Sequence, residues 1–405
     1  MKLYSFELGR VTELCLAELI SLFGEKNLVE RVRRSAIFNL EPLGLEPSNI
    51  QKLQDKLGGT IKIAEVVKTF KAEKKSEATK TLQDSLEEIL TNEFKDHAGS
   101  KIIFALSTVN IPADSKVFLK FFLNFSKVFL KSLGKSSRFV NKLWQNPTPA
   151  QIYKSRAIEK GIDITILRGE KETYITKTLS IQNIDAYSYR DFDKPFRDAK
   201  MGMLPPKLAQ IMINLADSSA PAEPPCKTIF DPFCGSGTIL MEALLRGKTA
   251  IGSDIDQVAV DGTIKNLNWL VENFTNTSPD FTVFQKDAKD LCEKDLPSTS
   301  VDTIVSETHL GPSLSKPPSK ELASTIFQEL TDLHESWLPK AAKLIPEKGK
   351  IVICLPSFRI SKDRYESFPN LEKILKSSGL KKISSFIYDR EDQVVAREIM
   401  VLQKI

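Results

Sequence analysis

The stretch of the chain richest in chemistry is Ile229-Phe230-Asp231-Pro232-Phe233-Cys234-Gly235-Ser236-Gly237-Thr238, with Glu242 a turn further on. An apolar run ends at an acid, passes through a Gly-x-Gly turn and enters a helical pattern. Glycines let a backbone come close to a ligand and take positive φ where a turn needs it. A helix start offers free N–H groups and a positive dipole end, which suits a carboxylate, while Asp231 suits an ammonium. Both charges sit on one carbon at the amino-acid end of S-adenosylmethionine, which matches this pattern better than a pyrophosphate does. Asp231, Pro232, Phe233, Cys234, Gly235, Gly237 and Thr238 are therefore candidate cofactor contacts.

Two further acids follow at strand-like ends. In Ile251-Gly252-Ser253-Asp254-Ile255-Asp256, an acid closing a second strand is where a ribose diol is held; Asp254, with Ile255, is preferred over Asp256. In Phe284-Gln285-Lys286-Asp287-Ala288, Asp287 can accept from an adenine amino group, with Ala288 beside it. Any one of these aspartates alone reads as a helix or loop cap. Three acids after three successive strands support one another.

The elements that must position these residues alternate. Strands are predicted over 228–230, 250–253, 282–285, 301–305 and 350–355, with helices over 205–216, 238–245, 258–274, 320–337 and 366–378. An antiparallel pair, 382–388 with 397–403, closes the chain. Such alternation indicates a doubly wound, mostly parallel α/β sheet. Upstream, residues 1–60 read as a small α/β unit and 61–178 as a compact α+β module. Its long helix over 115–133 has Val117, Phe121, Phe125 and Val128 at buried spacing and Gly134 as its C-cap. Residues 179–204 form a connector, in which Tyr187, Tyr189 and Arg190 either contact a partner or pin the connector down. Trp144 and Trp337 read as packing residues.

Composition sets bounds on function. The chain has 405 residues, enough for two or three domains, with 41% hydrophobic and 27% charged residues. No apolar run reaches the roughly 18–20 residues of a membrane span, and the N-terminus does not read as a signal peptide. The five cysteines lack CxxC spacing and the three histidines form no cluster, so neither zinc nor a disulfide framework is expected and a reducing, cytoplasmic setting is. The net charge of +5 is unevenly placed. Residues 101–170 are strongly basic, which fits a polyanion such as RNA or simply a solvated helix face.

Taken with the run from Arg190-Asp191-Phe-Asp-Lys-Pro-Phe-Arg197 through Gly202-Met203-Leu204-Pro205-Pro206-Lys207 to Ala216, the Asp231 motif resembles the THUMP-domain RNA methyltransferases. The tRNA guanine-N2 methyltransferases among them are the nearest in pattern. The resemblance covers nearly the whole chain. It implies a Rossmann-like class I methyltransferase domain with a seven-stranded, mostly parallel sheet over 205–405. Ahead of it would come an N-terminal ferredoxin-like unit over 1–60 and a THUMP-like RNA-binding module over 61–178. It further implies Leu204 and Pro205 against S-adenosylmethionine, Lys135, Ser136 and Arg138 as RNA contacts, tRNA as partner and no metal. Some relatives need an activator subunit.

One motif departs from the family. Its fourth strand ends in Asp-Pro-Pro-Tyr-Gly; here the strand runs into Ser306-Glu307-Thr308-His309-Leu310-Gly311. A carboxylate and a carbonyl orient an exocyclic amine, and an aromatic stacks on the extruded base. Glu307 keeps the carboxylate with one more methylene, Thr308 keeps the carbonyl, His309 offers a hydrogen bond or fills space, and Leu310 offers an apolar contact. These four are the candidate catalytic residues for methylating a guanine N2 amine in tRNA. Two other readings stay open: an RNA-binding protein that retains a cofactor pocket, and a methyltransferase for another base.

Overall fold

A computed structural model describes residues 2–44, 49–71, 75–99, 101–111, 115–197, 203–217, 226–275, 277–297, 300–312, 314, 316–361, 364–369, 371–389 and 394–405. The chain forms two compact units. One comprises Met1–Thr12, Phe23–Asp55 and Thr60–Ile184; the other comprises Glu13–Leu22, Lys56–Gly59 and Asp185–Ile405.

The elements up to residue 181 are β1 (Leu3–Leu8), α1 (Thr12–Phe23), β2 (Leu28–Val32), β3 (Ser35–Asn39), α2 (Ile50–Lys56), β4 (Thr60–Phe70), α3 (Lys75–Phe94), β5 (Ile102–Val109), α4 (Ser115–Ser132), β6 (Ser137–Phe139), α5 (Pro149–Ser155), β7 (Gly161–Arg168) and β8 (Thr173–Ile181). All eight strands share one sheet, ordered β2-β3-β1-β4-β8-β7-β5-β6. Strand β4 pairs antiparallel with β1 on one side and with β8 on the other. The segments read as 1–60 and 61–178 are thus continuous through β4, and the division expected at residue 60 falls at that strand's first residue.

Helix α4 corrects one expectation. Its buried residues are Leu119, Phe122, Leu123, Ser126 and Leu130, while Val117, Phe121 and Val128 are exposed. The helix is apolar around most of its circumference, so 3.6-residue spacing fits two faces equally well. Packing against the core formed by Phe104, Leu106, Ile164 and their neighbours selects one of them. Gly134 ends the helix as expected, with φ +74°.

The second unit carries α6 (Ile184–Phe192), α7 (Pro206–Ala216), β9 (Thr228–Asp231), α8 (Thr238–Leu244), β10 (Thr249–Asp254), α9 (Gln257–Asn273), β11 (Phe281–Gln285), β12 (Thr303–Glu307), α10 (Lys320–Leu344), β13 (Lys350–Ser361), β14 (Arg364–Glu366), α11 (Leu371–Ser377), β15 (Leu380–Tyr388) and β16 (Val395–Lys404). Seven strands run in the order β11-β10-β9-β12-β13-β16-β15, with β14 on the flank of β13. The first five are mutually parallel, and β16 is antiparallel to both β13 and β15. This is a Rossmann-like class I methyltransferase sheet. After β9 the chain turns to β10 on one side, then returns to β12 on the other. The crevice outside the carboxyl ends of β9 and β12 is therefore a topological switch point, where open α/β sheets bind ligands. Asp231, Asp254 and Glu307 are the last residues of β9, β10 and β12, so strand geometry alone delivers three carboxylates to that edge.

Candidate active site

Asp231 is 2% exposed. One of its oxygens, Oδ1, accepts from the Phe233 amide at 3.1 Å and from the Ser306 hydroxyl at 2.6 Å. Ser306 immediately precedes Glu307 on the neighbouring strand, so a single hydrogen bond ties the two carboxylate-bearing strand ends together. Burial pushes Asp231 up to about 7, opposed by those two hydrogen bonds and reinforced by the charges of Asp254 and Glu307. Among the described residues, a buried carboxylate held this way has no counter-ion, the chemistry expected of a group that waits for a cation.

The turn after Asp231 needs its glycines. Gly235 has φ +52° and Gly237 φ +78°, a region side chains rarely enter. A Cβ on Gly237 would lie 2.8 Å from the Thr263 methyl, whereas one on Gly235 would meet nothing within 4 Å. The backbone at Gly235 thus borders open space into which a ligand can fit. Thr263 also donates to the Gly235 carbonyl at 2.7 Å, and the Gly235 amide donates to Asp254 at 2.9 Å. Pro232 and Cys234 are buried and Phe233 half-buried, the Phe233 ring meeting the fully buried Trp337 edge-on at 5.2 Å.

The other acids divide by role. Asp256 is the N-cap of α9, accepting from the Val258 amide, which leaves Asp254 as the acid at the strand end. Ile255, between them, is 64% exposed, a large apolar side chain offered at the carboxyl edge. Asp287 caps the short 3-10 turn Ala288–Asp290 through one oxygen, Oδ1 to the Lys289 amide at 2.9 Å, and Ala288 is buried.

The connector is bound tightly to this turn. Asn266 accepts from the Phe196 amide and donates to the carbonyls of Phe196 and Ser236, all within 2.9 Å. The Phe196 ring occupies the space where a Cβ on Gly262 would stand, 2.2 Å away. Arg190 donates to Glu242 at 2.8 Å, Gln210 donates to its other oxygen at 2.7 Å, and Tyr187 donates to Gln210. Tyr187 and Arg190 therefore pin the connector, and Glu242 is their anchor. Tyr189 packs on Trp269 and Phe274. Leu204 is buried and Pro205 is the N-cap of α7; Gly202 lies outside the described residues.

At the end of β12, Glu307 accepts from the guanidinium Nε of Arg397 through Oε1. Burial raises its pKa, and Arg397 counteracts the rise. The Thr308 hydroxyl is buried and donates to the Cys354 carbonyl at 2.7 Å, which turns it away from substrate chemistry. His309 is exposed and Leu310 half-buried. A Cβ on Gly311 would approach Ile326 to 2.9 Å. Behind the loop, the Trp337 indole N–H donates to Nδ1 of His334 at 2.8 Å, and burial lowers His334 to about 3, so this histidine stays neutral.

In the first unit, Lys135 donates to the His97 carbonyl at 2.7 Å, while Ser136 and Arg138 are exposed. Among the described residues there is no group of three or more His, Cys, Asp or Glu placed to hold a metal, and no helix is long and apolar enough to cross a membrane.

Residues 194–376 match a family model described as RMKL-like, methyltransferase domain, and residues 41–266 match one described as DNA methylase. A tRNA (guanine(10)-N2)-dimethyltransferase of Methanothermobacter thermautotrophicus is 35% identical over 157 residues, covering 39% of this chain and 40% of the relative. A probable tRNA (guanine(10)-N2)-dimethyltransferase of Methanothermococcus thermolithotrophicus is 33% identical over 129 residues, 31% of this chain and 72% of the relative. The chain belongs to the methyltransferase family of these relatives. Its matched segment spans less than two thirds of the first relative's length. The crystal structure of TrmN from Thermus thermophilus, 16% identical, matches with a TM-score of 0.50 over 100% of this chain and 99% of that one, a likeness of fold.

For a methyltransferase, the residues that sequence reasoning passed over are the ones that support the motif. Ser306, Thr263, Asn266 and Arg397 reach the site from other elements, and no local spacing marks them. Lys194 stood inside the connector motif without a role.

Proposed function

We propose that this methyltransferase uses S-adenosylmethionine to methylate an exocyclic base amine in RNA, with guanine N2 of tRNA as the leading substrate. The observation that carries the reading is the pairing of Asp231 and Glu307 at adjacent strand ends, joined through Ser306. Asp231, the Gly235–Gly237 turn, Leu204, Pro205, Asp254, Ile255, Asp287 and Ala288 would hold the cofactor, which supplies an electrophilic methyl group when bound. That the two relatives are a tRNA (guanine(10)-N2)-dimethyltransferase and a probable one supports the choice of substrate.

The chain's own work is positioning and electrostatics. An exocyclic amine is a weak nucleophile because its lone pair is delocalised into the base. Glu307 Oε1 is taken by Arg397, which leaves Oε2 to accept an amine N–H, and the Thr308 carbonyl is the second acceptor. Leu310 covers the base with apolar surface. RNA would be gripped by the first unit, where Arg138 and Ser136 are exposed and the Lys135 ammonium is already engaged with the His97 carbonyl.

The Glu307–Arg397 pair also favours a second reading, a different target base, because the guanidinium adds donors beside the carboxylate. One experiment addresses both: methyl transfer from labelled S-adenosylmethionine to unmodified total tRNA, with the product nucleosides identified by mass spectrometry. N2-methylguanosine is the expected product. Another methylated nucleoside would establish the second reading, and cofactor binding without any product would return the chain to the RNA-binding alternative.

A further inference from the structure

Lys194 is an ammonium in an unusual place. It is 3% exposed, yet among the described residues no carboxylate lies within ion-pair distance of it. Its nitrogen donates to the Thr238 hydroxyl at 3.0 Å and to the Ser236 hydroxyl at 3.4 Å. These are the residues on either side of Gly237. An ammonium has three donors, so one is left over. The acid closest in charge influence besides Asp191 is Glu242, and Glu242 is already held by Arg190 and Gln210. Burying a charge with only neutral partners is costly, and that cost is offset when an ion of opposite sign arrives.

The position is not accidental to the fold. Asn266 bonds both backbone groups of Phe196 and the Ser236 carbonyl, which locks the connector, two residues beyond Lys194, onto the turn. Asp231 stands at one end of that turn with a buried carboxylate that no described cation pairs, and Lys194 stands at the other with a buried ammonium. An α-amino acid carries both complementary charges on a single carbon, so one ligand can satisfy both groups at once.

We infer that Lys194 is a cofactor-binding residue that recognises the carboxylate of the methionine end of S-adenosylmethionine, opposite the ammonium held by Asp231. The assignment rests on the cofactor reading above. Lys194 would then set the preference of the site for an intact amino acid over ligands that carry only the adenosine and sulfonium parts.

The test is calorimetric binding, to the full chain, of S-adenosylmethionine and of its decarboxylated analogue, which keeps the sulfonium, adenosine and amine. A charge-assisted contact of this kind gives roughly a tenfold to hundredfold difference in affinity. Lys194→Gln should weaken S-adenosylmethionine by that factor and leave the decarboxylated compound within about twofold. Lys194→Arg, which keeps the charge, should retain most of the preference. Equal weakening of both ligands in a folded Lys194→Gln variant would make Lys194 a packing residue and overturn the assignment, as would no change in either. Failure of the unmodified chain to bind both ligands would overturn the cofactor reading itself, and the assignment with it.

Discussion

Arg397, near the start of β16, donates to the carboxylate of Glu307 at the end of β12, reaching across β13 to do so. Both side chains are largely buried, at 7% and 17% exposure. A carboxylate in the position expected to meet the substrate is thus already fixed in direction, and its ionised form is favoured against the effect of burial, by a neighbour 90 residues away in the chain. Removing one partner of a buried pair leaves the other uncompensated, at about 3 kcal/mol. Arg397→Gln should lower the melting temperature by roughly 6 °C or more. It should also shift the acid limb of the pH–rate profile upward. Burial then acts unopposed to raise the Glu307 pKa, so the carboxylate is lost to protonation at a higher pH. An unchanged profile would remove Glu307 from the chemistry.

Asp231 trades stability for binding. Its pKa in the folded chain, about 7, lies above its ordinary value of 3.8. The folded state therefore holds the proton more tightly than the unfolded one, and this group's contribution to stability is full below about 4 and lost as pH rises through about 7. Asp231→Asn keeps the acceptor for Ser306 and Phe233 and removes the buried charge. At pH 8 it should melt roughly 3 °C higher or more and bind S-adenosylmethionine at least about tenfold more weakly. A variant that melts lower and binds normally would show that the carboxylate is structural.

Gly262 sets two effects against each other. Alanine in a helix interior is favoured over glycine by about 1 kcal/mol. Here the new Cβ would enter the Phe196 ring, and overpacking costs roughly 1–3 kcal/mol. The clash should win, because Phe196 is held at both backbone groups by Asn266. Gly262→Ala is expected to lower the melting temperature and speed tryptic cleavage at Arg197; a higher melting temperature would mean that the ring moves aside freely.

Grafting the family's Asp-Pro-Pro-Tyr in place of Glu307–Leu310 should not act alone. Aspartate is one methylene shorter and leaves Arg397 buried without its partner, while proline at 308 removes the hydroxyl bonded to Cys354. The graft is expected to melt several degrees lower and to recover part of that loss when combined with Arg397→Gln, a coupling of roughly 1 kcal/mol or more between sites in contact. Simple additivity in melting curves would show that Arg397 tolerates the shorter side chain.

Much of the second unit was legible because its information is local. Thr228–Asp231, the Gly-x-Gly turn and the helix that follows are specified by a dozen consecutive residues, and the alternating pattern beyond them settles a parallel sheet. The terminal pair, β15 with β16, was also readable from its two apolar runs. Where two local readings were equivalent, the sequence did not choose. Val117, Phe121 and Val128 recur at helix-compatible intervals, as Leu119, Phe122 and Leu130 do, yet only the second set is buried. Asp254 and Asp256 were both candidate ligands and both candidate caps until the backbone of α9 took Asp256.

By itself, the sequence determined that three carboxylates would follow three successive strands and that a turn with positive φ would begin beside the first, because strand ends and glycine turns are set by neighbours along the chain. Only the tertiary structure decided what the first two of these, and Glu307 at the end of β12, would meet: Ser306 on Asp231, the Gly235 amide on Asp254 and Arg397 on Glu307. Those contacts join residues from 19 to 90 positions apart. They exist because parallel strands bring their carboxyl ends to one edge, which depends on the order of the whole sheet and on no single segment of it.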